Sequence, residues 1–318
     1  MDSTLVKSWS DDVKSRLLGT VPWSPLDFIK DVSLDGDRAI HVEALTRDVA
    51  PRDDLRFTCR IAGGAEVAVC AERLPWDSDF FRYGVARLQG IYPLAPAAYR
   101  HDADYLPAVR ELIQSATRRG IRYLFAVIDA RDLPTQRSLS AAGFTLLETR
   151  VYFQCALRNY EFPRRFRCRS ATVDDLDSLS ELARTAENPY DRFNADPFID
   201  KRDTRRLLQA WLRASVLNGY ADLTYVNDAP RPSAVCTVKY LQDRHAAWQT
   251  SIAQLVLAMA GPGGRFLGVI AEINYLLKER GFDYVYFTTQ LANQASIRVG
   301  ERLGFRIGRG EYVFRLLL

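Results

Sequence analysis

IAQLVLAMAGPGGRFLGVIAEINYLLKERG, residues 252–281, sets three glycines and a proline between an apolar run and a stretch that reads as helix. IAQLVLAMA has the apolar continuity of a buried strand. FLGVIAEINYLLKERG has helical spacing and ends at R-G, where glycine supplies a left-handed cap. Strand, glycine-rich loop, helix is the order in which exposed N–H groups bind phosphate, because first-turn donors are unpaired and the helix dipole favours negative charge. The same loop also reads as a plain turn. Neither G-x-G-x-x-G nor G-K-[ST] is present, so the ligand class stays open at this point.

The end of this stretch belongs to a repeat. RRGIRYLFAVIDARDLPTQRSLSAAGFTLLETRVYFQCAL, ending at Leu157, aligns without gaps on KERGFDYVYFTTQLANQASIRVGERLGFRIGRGEYVFRLLL, ending at Leu318, at a constant offset of 161 residues. Gly120 meets Gly281, Tyr123 meets Tyr284, Arg137 meets Arg298 and Gly143 meets Gly304. Each copy reads as a helix ending at R-G, an aromatic and β-branched strand (YLFAVI or YVYFTT), an amphipathic stretch stopped by glycine, and a strand pair.

Outside the shared portion the halves read differently. NYEFPRRFRCR combines Pro163 with a run of arginine and reads as a linker, giving a division into residues 1–162 and 163–318. Beyond it, TVDDLDSLSELARTA is a helix with Thr172 or Asp174 as N-cap, and DTRRLLQAWLRASVLNG is a second helix closed by Gly219. ADLTYV and SAVCTVKYL are strands, and HAAWQTSIAQLVLAMA is long enough for a bent one. The second half thus reads β-α-α-β-β-β-loop-α-β-α-β-β. In the first half, residues 1–72 form a weakly signposted α/β extension. Its strand GVARLQGIYPL reaches the next helix through AAYRHDADY, which has no glycine.

At 318 residues, 47% hydrophobic and 26% charged, the chain has the balance of a folded globular protein long enough for two units. The net charge of +4 is spread over scattered arginines, which argues against a nucleic-acid footprint and suits an anionic small ligand. Five widely spaced cysteines with no C-x-x-C pair read as reduced thiols, which points to the cytoplasm and away from a disulfide framework or metal site. No apolar run approaches the roughly 18 residues of a membrane span, and the start lacks a signal-peptide core. The oligomeric state is left open, a homodimer included.

LPWDSDFFRYGVARL, NPYDRFNADPF followed by LLQAWLRASVLNGYADLTYV, and FTTQLANQASIRVGERLGF together resemble the GCN5-related N-acetyltransferases, the GNAT superfamily, and within it the TDP-fucosamine N-acetyltransferases. The resemblance covers residues 73–318. It implies an α/β (α+β) fold of tandem GNAT-like mixed sheets flanked by helices, with the C-terminal half as the cofactor-binding copy. It further implies transfer of an acetyl or other short acyl group from CoA, without metal, to a small-molecule amine, here an amino sugar carried on a nucleotide. LVLAMA, with Leu257, Ala258 and Met259, and YVYFTT would be two parallel strands that splay apart around the pantetheine arm. The diphosphate would sit on the amides of Gly263, Gly264, Arg265, Phe266, Leu267 and Gly268, Asn293 would reach the cofactor from its helix, and an N–H near Ala258 would hold the thioester carbonyl. Trp76, Asp77 and Phe80, with Asp191, Arg192 and Phe193, would bound the acceptor.

The sequence also departs from the family pattern. The family loop [QR]-x-x-G-x-[GA], ended on Gly268, puts Gly263 at the Arg/Gln position and Phe266 at the middle glycine, which removes a close backbone approach. The tyrosine that protonates the leaving thiolate falls on Gly300. Tyr312, on the last hairpin, is the replacement candidate, with an ordered water as the alternative, and His245 is the candidate base for the acceptor amine. The first copy has no glycine loop and is expected to bind no CoA, serving to wall the acceptor pocket. A non-catalytic binding protein on the same fold, and an acyltransferase acting on an amino acid or antibiotic amine, are the competing readings.

Overall fold

The computed structural model describes residues 11–95, 100–186, 188–261 and 265–318. They form two compact units: one of residues to Phe28, Leu34–Thr149 and Gly310–Leu318, the other of Ile29–Ser33 and Arg150–Arg309. The chain runs through α1 (Asp11–Thr20), α2 (Leu34–Thr46), β1 (Phe57–Arg60), β2 (Glu66–Arg73), α3 (Pro75–Phe81), β3 (Gly84–Pro93), α4 (Leu106–Arg118), β4 (Ile121–Asp129), α5 (Leu133–Ala141) and β5 (Thr145–Ala156). It continues through β6 (Cys168–Ser170), α6 (Leu176–Thr185), α7 (Arg192–Ala195), α8 (Lys201–Leu217), β7 (Leu223–Asn227), β8 (Ala234–Lys239) and α9 (His245–Trp248). β9 (Ile252–Ala260), α10 (Phe266–Glu279), β10 (Tyr284–Gln290), α11 (Gln294–Arg302) and β11 (Arg306–Leu317) complete it.

In the first unit β1, β2 and β3 pair antiparallel in sequence, β3 pairs β4 parallel, and β4 pairs residues 311–317 of β11 antiparallel. In the second, β6 to β9 pair antiparallel in sequence, β9 pairs β10 parallel, and β10 pairs residues 150–156 of β5 antiparallel. Each unit is therefore a mixed sheet with helices packed on it, as expected. The strand that closes each half in sequence, however, belongs to the other unit, so the units do not divide at residues 162 and 163.

Residues 1–72 also turn out differently from the reading as an extension. α1, α2, β1 and β2 supply the first unit with the helix pair and antiparallel strands that α6, α8, β7 and β8 supply to the second. The expected strand pair at the end of each copy is one long strand. Gly308 and Gly310 lie inside β11 and neither adopts a positive φ, whereas Gly143 and Gly304, which do end helices, have φ of 87° and 79°. HAAWQTSIAQLVLAMA divides into α9 and β9 at Gln249, a left-handed residue with φ 57°. Thr172 is the cap of the expected helix, in a capping box with Asp175.

Two cores flank the second sheet. Phe153, Leu255, Val285, Phe287 and Phe305 pack with Val269, Ile273 and Leu277 of α10 and Ile297 of α11. Leu179 and Leu182 of α6 and Leu212 of α8 pack with Val226, Val235 and Met259. The side chains of β9 thus divide between two helical layers, as the alternation of a strand dictates.

Candidate functional site

β9 and β10 begin as an ordinary parallel pair and then part. Their register runs from Ile252 opposite Tyr284 to Leu255 opposite Phe287 and stops there, although β9 continues to Ala260 and β10 to Gln290. The cause lies on the other edge of β9. In the β8–β9 ladder Thr237 pairs with Leu257 but Val238 with Leu255, so Val256 is an extra residue, a β-bulge, and is 41% exposed. The Thr237 hydroxyl accepts the Leu257 N–H at 3.1 Å and fixes the bulge. A bulge bends its strand and increases local twist, which carries the second half of β9 away from β10.

This bend also decides which amides face the opening. Leu257 N–H goes to Thr237 and Gly261 N–H to the Ser233 carbonyl at 2.9 Å, so the odd-numbered residues spend their backbone groups on β8. By the alternation of an antiparallel ladder, the N–H groups of Ala258 and Ala260 point to the side where β10 has withdrawn. A cavity of about 340 Å³ occupies this opening. Its walls include Met259, which packs with α6 and α8, and Ala258, Phe266 and Val299, which pack with α10 and α11, so it reaches from one face of the second sheet to the other.

Of the residues singled out in the sequence, Leu257, Ala258, Met259, Phe266 and Asp191 line this cavity. Phe266 stands at the start of α10 as a wall and leaves the space open. Arg265, Leu267 and Gly268 line a second groove beside the same helix turn. Gly268 is small for a packing reason: a Cβ there would come within 2.8 Å of the Phe166 ring. Gly263 and Gly264 lie outside the described residues. Asn293 is the N-cap of α11, its side-chain oxygen accepting from Ser296 N at 3.2 Å, and it is the following Ala295 and Ser296 that reach the cavity wall.

The remaining candidates lie elsewhere. His245 is half-buried, with Nε2 at 2.8 Å from the Tyr240 carbonyl and 3.1 Å from that of Ile252, and its ring stands edge-on to Phe282, so it stitches α9 to the root of β9. It does not line the cavity. Tyr312 is in the first unit, opposite Ile128 and against that unit's core. Trp76 and Phe80 stack at 5.2 Å on α3, also in the first unit, with Trp76 50% exposed and Asp77 in the same turn. Asp191, which does line the cavity, caps α7 through Phe193 N and Asn194 N, at 2.9 and 3.0 Å. The Phe193 ring is buried edge-on to Trp211, beneath the Arg192 guanidinium.

Sequence reasoning missed Asn188 and Ser296. Both line the cavity, and Asn188 donates to the Gln290 side chain at 2.7 Å. The signal for Ser296 was present in its spacing from the Asn293 cap; Asn188 had none. The structure also accounts for Gly300. A Cβ at this position would lie 3.0 Å from the Phe287 ring and 3.5 Å from Phe153, two rings stacked 5.1 Å apart at 6°. The aromatic pair fills the space a tyrosine would need. No cysteine lines the cavity, and burial pushes the Cys155 and Cys168 thiols up to about 11. Among the described residues no group of three His, Cys, Asp or Glu could hold a metal, and no helix is long and apolar enough to cross a membrane.

The first unit repeats the opening. β3 and β4 pair as far as Leu88 opposite Ala126, where Gln89 is bulged between Cys70–Gly90 and Ala71–Leu88. The turn that follows differs. Asp104 takes the Leu106 N–H at 2.9 Å, Pro107 has none to give, and Tyr105 is fully buried with its N–H on Ser138. Nearby, burial raises the Asp132 carboxyl to about 6, against the lowering effect of its Thr135 contacts. A carboxyl raised above its unfolded value stabilises the fold while protonated, and this contribution is lost as pH rises through about 6. Asp132→Asn, which keeps a capping oxygen, is expected to raise the melting temperature at pH 8 and leave it nearly unchanged at about pH 3, below the unfolded carboxyl's own titration. Equal shifts at both values, read by thermal unfolding, would show that Asp132 is not buried as a charge.

No family model and no curated protein matches the sequence. Solved structures do match. A GCN5-related N-acetyltransferase from Sphaerobacter thermophilus aligns at TM-score 0.56 and 12% identity, over 88% of this chain and 85% of its own. A tandem GNAT protein from the clavulanic acid biosynthesis pathway aligns at TM-score 0.52 and 12% identity, over 99% of this chain and 98% of its own. The fold is that of the GNAT acetyltransferases. A glucosamine N-acetyltransferase region of a fungal multi-domain β-N-acetylglucosaminidase shares it at TM-score 0.59 and 14% identity, over 99% of this chain and 38% of that larger one. The parted strands β9 and β10 thus sit within a GNAT fold, and the alignment with the tandem protein spans both halves of the chain.

Proposed function

We propose that the second unit is an N-acyltransferase that moves an acetyl or other short acyl group from CoA to a primary amine by direct attack in a ternary complex. The observation that carries this reading is the opening between β9 and β10, which crosses the sheet and presents unpaired N–H groups at Ala258 and Ala260. An extended pantetheine arm can hydrogen-bond there as a strand would, with the Ala258 N–H held for the oxygen that becomes negative as the amine attacks. The C–N bond forms as the C–S bond breaks, and the proton lost by the amine ends on the departing thiolate. Asp191 is the carboxylate on the cavity wall that can accept a hydrogen bond from the incoming amine, which gives up its ammonium proton to solvent before it attacks, and Asn188 and Ser296 offer hydrogen bonds there. Tyr312 and His245 are less suited to proton transfer, His245 because its ring nitrogen is already engaged by backbone.

For the acceptor we favour a nucleotide-linked amino sugar, on the strength of LPWDSDFF and NPYDRFNADP, with an amino acid or antibiotic amine as the alternative. The first unit, whose α4 start has Tyr105 and Leu106 amides already engaged and none at Pro107, is proposed to bind no CoA. A cytoplasmic enzyme is proposed from the unpaired cysteines. A non-catalytic binding protein is the second reading, favoured by the lack of tyrosine, histidine or cysteine among the residues lining the cavity.

Thermal unfolding with acetyl-CoA separates these readings. Ligand at about a hundred times its Kd is expected to stabilise the protein by about 3 kcal/mol, and thiol release with a panel of amines marks the enzyme. Stabilisation without thiol release from any amine favours the binding protein. No stabilisation at millimolar ligand removes the CoA site altogether.

A further inference from the structure

The chain leaving β5 runs back along α10 as a strap. Lys278 donates to the Tyr160 carbonyl at 2.9 Å, the Tyr275 hydroxyl accepts from Phe162 N at 2.7 Å, the Arg165 guanidinium grips Glu272 at 2.9–3.1 Å, and Phe166 packs on Gly268. These contacts ascend α10 from its last turn to its first. Between the strap and that first turn lies a groove of about 760 Å³.

Four arginines line it without a carboxylate partner among the described residues: Arg164 and Arg167 on the strap, Arg265 before α10 and Arg302 at the end of α11. Arg165, by contrast, is neutralised by Glu272, and Arg169 by Asp175. Uncompensated guanidinium groups around one groove repel one another, and an anion among them relieves this. Phe162 and Phe166 add two half-buried rings 6.1 Å apart, with the Arg164 guanidinium 5.1 Å above Phe166, a surface on which a planar base can stack.

The first turn of α10 is common to both cavities. Phe266 borders the opening between the strands, while Arg265, Leu267 and Gly268 border the groove. One elongated ligand, with a thin uncharged arm and a polyanionic aromatic head, can cross this turn with its arm in the opening and its head in the groove. We propose that the groove takes the phosphorylated adenosine end of CoA, with Arg164 and Arg167 on the ribose phosphate. The inference rests on the reading of the second unit as an acyl-CoA-binding domain, and it names the strap, outside the glycine loop, as the part that selects CoA over its dephosphorylated form.

Calorimetric titration of the full chain with CoA and with dephospho-CoA tests it. The wild type is expected to bind CoA about tenfold more tightly, the size of one charge-assisted hydrogen bond, and Arg164→Ala/Arg167→Ala to bring the two affinities within about twofold. The lysine pair Arg164→Lys/Arg167→Lys is expected to keep part of the preference. Equal affinities in the wild type overturn the inference and leave the proposed function standing. A preference that survives in the alanine pair, whose unfolding curve reports its integrity, overturns the assignment to the strap. Binding of neither ligand removes the proposed function, and this inference with it.

Discussion

Ala258→Pro is expected to lower turnover by about 10²–10³-fold while changing CoA affinity by only a few-fold, the loss found when one donor to a developing oxyanion is removed. Proline inside a sheet ordinarily breaks a ladder hydrogen bond, but a position whose N–H points away from its partner strand tolerates it. The ladder of β8 and β9 puts Ala258 in that class, since its neighbours Leu257 and Met259 face β8. The fold should therefore survive while the donor is lost. Steady-state kinetics gives the turnover, calorimetry the affinity, and circular dichroism shows whether the sheet remains. If turnover is unchanged in a folded variant, the Ala258 amide is not the oxyanion donor.

Gly300→Ala is expected to destabilise the protein by about 1–3 kcal/mol, the usual cost of an added methyl in a filled core. The new Cβ would stand 3.0 Å from the Phe287 ring, and that ring is stacked on Phe153 and met edge-on by Phe305, so it has no free direction to move. Gly300→Tyr, which places a tyrosine where the family pattern has one, should cost more and should not raise activity. Trimming the ring it would strike, in Gly300→Ala/Phe287→Leu, is expected to restore part of the loss relative to the sum of the single changes. Denaturant midpoints measure all three. Neutral behaviour of Gly300→Ala would mean that the aromatic pair is looser than the structure has it.

Much of the architecture was legible because it is local. The parallel strands, the helices between them and the glycines that end those helices repeat at a fixed offset, and each signal spans only a few residues. Thr172 announced its capping box, whereas Asp191 and Asn293, read for acceptor and cofactor, cap α7 and α11 in the structure. α1 and α2 were harder to read because their mixed charges give a weak helical stripe, so the first unit looked like an extension attached to half a fold. The site was legible to the same extent: Leu257, Ala258, Met259 and Phe266 are consecutive or nearly so, and they meet on one cavity.

The kinds of element, their order and the places where backbone must turn follow from side-chain periodicity and from the conformations glycine and the cap residues allow, and so can be read along the chain. Which strand lies beside which is settled by the folded chain alone. β5 and β11 carry nearly the same pattern, and hydrogen-bonding strands are chemically alike along their edges, so nothing in either stretch says that 150–156 pairs with β10 and 311–317 with β4. The gap is likewise a product of folding, since the bulge at Val256 exists by virtue of the register that β9 shares with β8, a relation between two strands that neither stretch contains alone.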